Sequence, residues 1–230
     1  IIGNGSNLLV GDKGYRGVVI QIFKEMNEIT CEENVIRAQA GALLSQVAAK
    51  ALEQSLTGFE FAAGIPGTLG GACVMNAGAY GGEMKDVLET VTVLTRDGDV
   101  KTLTKDELEP GYRTSVIAKK DYIVLSAVIR LENGKKEEIK AVMDDLKEKR
   151  ITKQPLEYPS AGSTFKRPEG YFAGKLIQDA GLRGFQVGGA QVSEKHCGFV
   201  VNKDQATAAD VMNLMNQVSD KVYEMSGVRL

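Results

Sequence analysis

Two stretches of the chain combine residue types and spacing suited to holding an anion. Near the start, Gly3-Asn4-Gly5-Ser6-Asn7 sets the Gly5 amide beside the small side-chain donors Ser6 and Asn7. Further on, residues 64–82 read GIPGTLGGACVMNAGAYGG, and seven of these nineteen are glycine. Glycine within regular structure costs roughly 0.5–1 kcal/mol relative to alanine, so seven would cost about 4–7 kcal/mol. That is a large part of the roughly 5–15 kcal/mol by which a domain is stable. A ligand packed against the main chain offsets so loose a backbone, because glycine lets peptide N–H groups converge on an anion without Cβ atoms in the way. Thr68 and Asn76 add side-chain donors, and Pro66 stiffens one turn. The bland alternative is a glycine-rich turn region between strands. The existence of two loops of the same character favours binding.

Bulk composition narrows the field. The 230 residues suffice for one large domain or two modest ones. A net charge of −2 without a dense basic cluster argues against nucleic acid. No apolar run approaches the ~20 residues of a membrane helix. Cys31, Cys73 and Cys197 are odd in number and far apart, which fits reduced thiols in a cytoplasmic protein. No CxxC pair exists and His196 is the single histidine, so no metal site is expected. The chain opens on Ile1-Ile2, already extended, and closes on Val228-Arg229-Leu230 just after a helix stop at Gly227. It therefore reads as a segment of a longer protein, or as one with unlisted termini.

The elements that must position these loops follow from periodicity. The apolar run Leu8-Leu9-Val10 is short and ends in the turn Gly11-Asp12-Lys13-Gly14, with no third glycine near Leu8. The phosphate cradle survives this, but the doubly wound dinucleotide fold does not. Residues 17–22 and 34–40 read as strands from their β-branched content. Residues 42–54 form a helix with Leu43, Leu44, Val47, Ala48, Ala51 and Leu52 on one face. Asp97-Gly98 marks a hairpin between strands 89–94 and 100–104. Residues 121–131 make a long apolar strand, and 136–150 a charged helix with Ile139, Val142, Met143 and Leu146 inward. The proline-containing, aperiodic residues 152–159 place a boundary between domains 1–152 and 153–230. Beyond it come a polar turn over 160–168, a helix at 172–180, and strands at 185–187, 190–193 and 198–202. A last helix spans 208–226, with Val211, Leu214, Met215, Val218, Val222 and Met225 on one face and Thr207 and Asp210 as its cap pair.

Three stretches taken together resemble one family: IIGNGSNLLV, GIPGTLGGACVMNAGAYGGEM and SAGSTFKRP. The chain is similar to the UDP-N-acetylenolpyruvoylglucosamine reductases, flavoenzymes that complete UDP-N-acetylmuramate in bacterial cell-wall synthesis. Residues 111–115, GYRTS, and the GGAQVSEKH run from Gly188 fit the same pattern. The short spacing from Arg113 to Ser163 leaves no room for the tyrosine-bearing insertion of the longer class, so the resemblance is to the shorter, type II class. It implies an α+β fold, an FAD-binding module of the vanillyl-alcohol-oxidase (PCMH) type followed by a smaller α+β substrate-binding domain. It also implies non-covalent FAD, NADPH as co-substrate, UDP-N-acetylglucosamine enolpyruvate as substrate and a cytoplasmic monomer serving cell-wall biogenesis, cell shape and division. Asn4, Gly5, Ser6 and Asn7 would hold the FAD pyrophosphate. Gly64, Pro66, Gly67, Gly70, Gly71, Asn76 and Gly78 would line the rest of the flavin.

The implied reaction reduces an enol ether conjugated to a carboxylate, and each step needs particular groups. Arg113 offers a permanent, bidentate cation to the developing enediolate, with Tyr112 shaping the same wall. Ser163 is the family's proton donor; no GxSxG elbow surrounds it, so it is not an acyl-transfer nucleophile. His196 would lie near the substrate. Among Lys166, Arg167, Lys175 and Arg183, the residues Arg167 and Lys175 are the candidates for the nucleotide diphosphate. The family's third catalytic residue is a glutamate beyond Leu230, and Glu224 does not match it. The expectation is that the chain as written binds flavin weakly or turns over slowly. Two rivals stand beside this reading: a flavin-dependent alcohol oxidase tethered through Cys73, and a non-catalytic nucleotide-binding module.

Overall fold

The structure, a computed structural model, describes all 230 residues. The chain divides into two compact units, Ile1–Gly5 with Val18–Lys149, and Ser6–Gly17 with Arg150–Leu230.

The first unit is built on a five-stranded antiparallel sheet. Its chain order is β1 (Ile29–Glu32), β2 (Val35–Gln39), helix α1 (Leu44–Glu53), β3 (Leu56–Thr57), helix α2 (Leu69–Met75), β4 (Gly78–Ala79), β5 (Gly82–Glu83), the short helix α3 (Met84–Val87), β6 (Leu88–Leu94), β7 (Val100–Thr104), helix α4 (Val116–Lys119), β8 (Ile123–Arg130) and β9 (Glu132–Asn133). The sheet runs β1-β2-β8-β6-β7, with two-stranded pairs β3-β9 and β4-β5 beside it. Alternation decides which face is covered. Ile36 and Ala38 of β2, Val91 and Val93 of β6, and Ala127 and Ile129 of β8 are buried together with Leu44, Val47, Ala48 and Ala51 of α1 and Leu69 and Ala72 of α2. Gly98, at φ +90°, closes the expected β6–β7 hairpin. The strand expected over residues 17–22 does not form. Only Gln21 joins Ile2 in an isolated parallel bridge, and Val18, Val19 and Ile20 are exposed, so β-branched composition alone did not make a ladder there.

Helix α5 (Lys136–Lys153) follows, and the division between the units falls within its last turns. Of its four expected inward residues, Ile139 is buried and Met143 and Leu146 are half-buried, whereas Val142 is exposed. The second unit holds α6 (Ala173–Asp179), a three-stranded antiparallel sheet of β10 (Gln186–Val187), β11 (Ala190–Val192) and β12 (Val200–Asn202), and α7 (Ala208–Ser226). Leu214, Val218 and Val222 of α7 are fully buried against Ala190, Val192 and Ile177. Burial of these three contributes about 5–9 kcal/mol in gross terms. Met225, expected on the same face, is exposed at the helix end. The start of α7 is capped twice. Thr207 Oγ1 accepts from the Asp210 amide at 3.0 Å while Asp210 accepts back from Thr207. Asp12 also accepts from the amides of Ala208 at 2.6 Å and Ala209 at 3.2 Å. Gly227 ends the helix in the left-handed region.

Candidate active site

Within the first unit the two glycine-rich stretches meet. A Cβ placed on Gly3 would lie 2.2 Å from Thr68 Oγ1, so only glycine permits that approach. One residue later, Asn4 Nδ2 donates to the Pro66 carbonyl at 3.1 Å. What the sequence presents as two cradles is therefore one seam. Gly64 and Pro66 are exposed along it, and Gly67 is half-buried. Ser6, half-buried, and Asn7, exposed, belong to the other unit.

The glycine amides do not all converge on a ligand, which corrects the sequence reading. The Gly67 N–H donates to Ile65 at 2.9 Å, that of Leu69 to Ala42 at 2.8 Å and that of Gly70 to Ala40 at 2.8 Å. Residues 69–75 coil into α2, and Gly70 is small because a Cβ there would come within 2.9 Å of Ala40 Cβ at the end of β2. Gly71 instead has open space, with Thr68 Oγ1 at 3.8 Å the one atom near its Cβ position. Gly78 sits in the β4–β5 pair, where a Cβ would approach the Gly82 carbonyl to 2.7 Å.

Arg113 lies at the tip of a tight turn in the same unit. Gly111 and Thr114 pair across it, with N–H···O distances of 3.0 and 3.3 Å. Arg113 itself adopts φ +56°, a conformation that costs roughly 1–2 kcal/mol for a residue bearing a Cβ. Its guanidinium donates to the Gly78 carbonyl at 3.0 Å and lies 5.2 Å from the Tyr112 ring centre. Asn76, buried in the left-handed C-cap position of α2, uses its whole amide on protein partners. Nδ2 donates to Glu83 at 2.8 Å and to the Gly111 carbonyl at 3.1 Å, and Oδ1 accepts from the Lys85 amide at 2.9 Å. The Ser115 hydroxyl adds a bond to the Val74 carbonyl at 2.8 Å. Arg113, Asn76 and Gly78 thus form one constellation at the end of α2.

In the second unit, Ser163 is exposed and pairs with Phe199 in an antiparallel bridge. The Thr164 amide donates to Gly198 at 2.9 Å, and Thr164 Oγ1 accepts from Val200 at 3.0 Å. His196 borders the same segment. Its Nδ1 accepts from the Gly198 amide at 3.0 Å, and its ring meets Phe199 edge-on at 5.0 Å. Burial is the main cause holding the His196 pKa below its ordinary value, with Arg183 adding to it. The imidazole is therefore neutral at pH 7, with Nε2 as its donor. Of the candidate cations, Lys175 pairs with Asp179 and Arg167 stacks on Phe172 at 4.6 Å. Arg183 donates to the Glu194 carbonyl and to Gln178.

The chain matches the FAD binding domain family over residues 1–104 and the UDP-N-acetylenolpyruvoylglucosamine reductase C-terminal domain over residues 154–230. A UDP-N-acetylenolpyruvoylglucosamine reductase from Agathobacter rectalis is 63% identical over 242 residues, covering all of this chain and 77% of that protein. One from Clostridium perfringens is 58% identical over 230 residues and covered over 75% of its length. The chain belongs to the UDP-N-acetylenolpyruvoylglucosamine reductase family. The crystal structure of the reductase from Thermus caldophilus superposes with a TM-score of 0.84 at 39% identity, covering 95% of this chain and 79% of that one. The expected α+β architecture, the FAD binding domain and the oxidoreductase class are those of the family.

The residues of this family member fit a flavin dinucleotide. The seam where Gly3 meets Thr68 would be forced apart by a Cβ, and Gly5 follows Asn4 at φ +69° with no helix behind it. Gly64, Pro66 and Gly71 leave the same seam open. Sequence reasoning missed Gly3 as a contact glycine, and it missed Glu83 and Ser115 as partners of the Arg113 turn. A signal for Glu83 existed in its spacing to Asp86, whose carboxylate accepts from the Glu83 amide at 2.8 Å at the start of α3.

Proposed function

We propose that this chain reduces UDP-N-acetylglucosamine enolpyruvate to UDP-N-acetylmuramate with NADPH, in the synthesis of peptidoglycan precursors. The observation that carries the reading is the joining of the two glycine-rich stretches through Gly3–Thr68 and Asn4–Pro66, in a chain whose first 104 residues match an FAD binding domain. Asn4, Gly5, Ser6 and Asn7 hold the pyrophosphate, and Gly64, Pro66, Gly67, Gly70, Gly71, Asn76 and Gly78 shape the wall around the flavin. When bound, non-covalent FAD would supply the hydride chemistry, with NADPH as the source of the hydride that reduces the enolpyruvyl group.

The remaining chemistry belongs to side chains. Hydride addition leaves negative charge shared between the neighbouring carbon and the carboxylate. Arg113, fixed by Gly78 and Tyr112, stabilises that enediolate with its planar, bidentate cation. The Ser163 hydroxyl delivers the proton to the carbon, and its exposure leaves it open to substrate. Neutral His196 donates through Nε2 beside the substrate, and Arg167 and Lys175 face the diphosphate. A covalent tether through Cys73 is disfavoured. That thiol is buried and its pKa is pushed up to about 12 by burial, so it offers no thiolate nucleophile.

Stopped-flow absorbance tests the assignment. Ser163→Ala should keep flavin reduction by NADPH and slow reoxidation by the enolpyruvyl nucleotide by about 10²–10⁴-fold, the usual contribution of a general acid. Unchanged turnover would remove Ser163 from the mechanism.

A further inference from the structure

The Arg113 turn poses a physical problem that its own residues do not solve. Arg113 holds φ +56° without being glycine, and the pairing across the turn closes only through Gly111 and Thr114. Such a conformation persists where surrounding contacts over-determine it. Beside the bonds of Arg113 to Gly78 and of Ser115 to Val74, the contact that reaches the backbone of the turn itself is Asn76, whose Nδ2 bonds the Gly111 carbonyl. An amide can present its donor or its acceptor by a half-turn, so something must choose. Here the Glu83 carboxylate, 2.8 Å from Nδ2, can only accept, and the Lys85 N–H, 2.9 Å from Oδ1, can only donate. Glu83 is in turn held by the Lys85 ammonium at 3.2 Å, and its own amide donates to Asp86 at 2.8 Å.

We propose that Glu83, acting through the Asn76 amide, is a positioning residue for Arg113. It fixes the bond that pins the Gly111 carbonyl and so sets where the guanidinium is presented. This rests on the role assigned to Arg113 above, and it gives Asn76 a task distinct from touching the cofactor. The arrangement makes a directional demand, because position 83 must accept and position 76 must donate twice.

The test is steady-state kinetics of the flavin-loaded chain, with kcat expressed per bound flavin and the thermal midpoint measured alongside. Glu83→Ala should lower kcat about 5–20-fold at near-constant KM for NADPH, since sub-ångström misplacement of a catalytic group costs up to about 10²-fold. Glu83→Gln should stay within about twofold of the parent, because its side-chain carbonyl accepts the same bond. Asn76→Asp should lower kcat by more than tenfold, as two carboxylates then face each other and nothing donates to Gly111. Combining Asn76→Asp with Glu83→Gln restores a bond of reversed polarity between the two positions. That pair should recover the thermal midpoint but not kcat. The proposal is overturned if Glu83→Gln is as impaired as Glu83→Ala, if the double variant recovers kcat, or if Glu83→Ala lowers only the thermal midpoint. Should Asn76→Asp fail to fold, the two Glu83 variants decide. Arg113→Ala with undiminished kcat would remove the underlying reading and this proposal together. A crippled Arg113→Ala beside a fully active Glu83→Ala would overturn the proposal alone.

Discussion

His196 shows how much a single neutral side chain can settle. Burial lowers its pKa, and its Nδ1 accepts a backbone hydrogen bond, so protonation is opposed in the folded state. A histidine whose folded pKa is depressed contributes stability that is fully present above its ordinary 6.5 and is lost as pH falls through the folded value. The thermal midpoint should therefore drop on acidification below about pH 6.5, and His196→Gln should flatten that slope; equal slopes in the two proteins would contradict it. Gly70 makes a second case. Gly70→Ala should destabilise the first unit by about 1–3 kcal/mol in urea unfolding, the usual cost of overpacking, because the new methyl would press on Ala40. The sequence marked Gly70 as a place where a side chain is not tolerated and ascribed this to a ligand; in the fold, Ala40 lies against the same position. Only the fold reveals that its neighbour is a strand end. Ser163, Arg113 and His196 were legible as types and motifs; the backbone partners of Ser163 and Arg113, Phe199 and Gly78, lie far away along the chain and leave no local trace, whereas that of His196 is the nearby Gly198.

At the level of elements, the periodic segments read well and the aperiodic ones did not. Helix α7 matched its expected limits because three signals agreed: a 3.6-residue apolar stripe, the Thr207–Asp210 cap pair and Gly227. The β6–β7 hairpin followed from Asp97-Gly98. Residues 17–22 misled because β-branched residues signal a strand only where an edge is available to pair with. Helix α2 was hidden within a glycine run of low helix propensity, and burial of Leu69, Ala72 and Cys73 against the sheet overrides that cost. The cap on α7 has a part that no local reading reaches, since Asp12 lies 196 residues from Ala208. Asp12→Ala should lower unfolding stability by about 0.5–2 kcal/mol, the range for loss of a helix cap, with Asp12→Asn recovering much of it. If Asp12→Ala is neutral by calorimetry, the Thr207–Asp210 pair alone satisfies the helix end.

For the whole molecule, the informative spectrum is the visible one. Purified protein should show a flavin band that bleaches with NADPH, returns with the enolpyruvyl nucleotide, and leaves with the supernatant on acid denaturation. Colour retained in the pellet would indicate a tethered cofactor instead. The division of the chain has a further consequence for how the molecule is made. The second unit draws on Ser6–Gly17 and on everything after Lys149, so its two parts leave the ribosome at widely separated times. The early segment must wait, its Asp12 carboxylate unclaimed, while the entire antiparallel sheet is synthesised and can already fold. Nascent chains long enough for β8 to have left the ribosome but lacking α7 should accordingly protect the sheet from protease yet be cut between residues 6 and 17, and release of the full chain should close that window last.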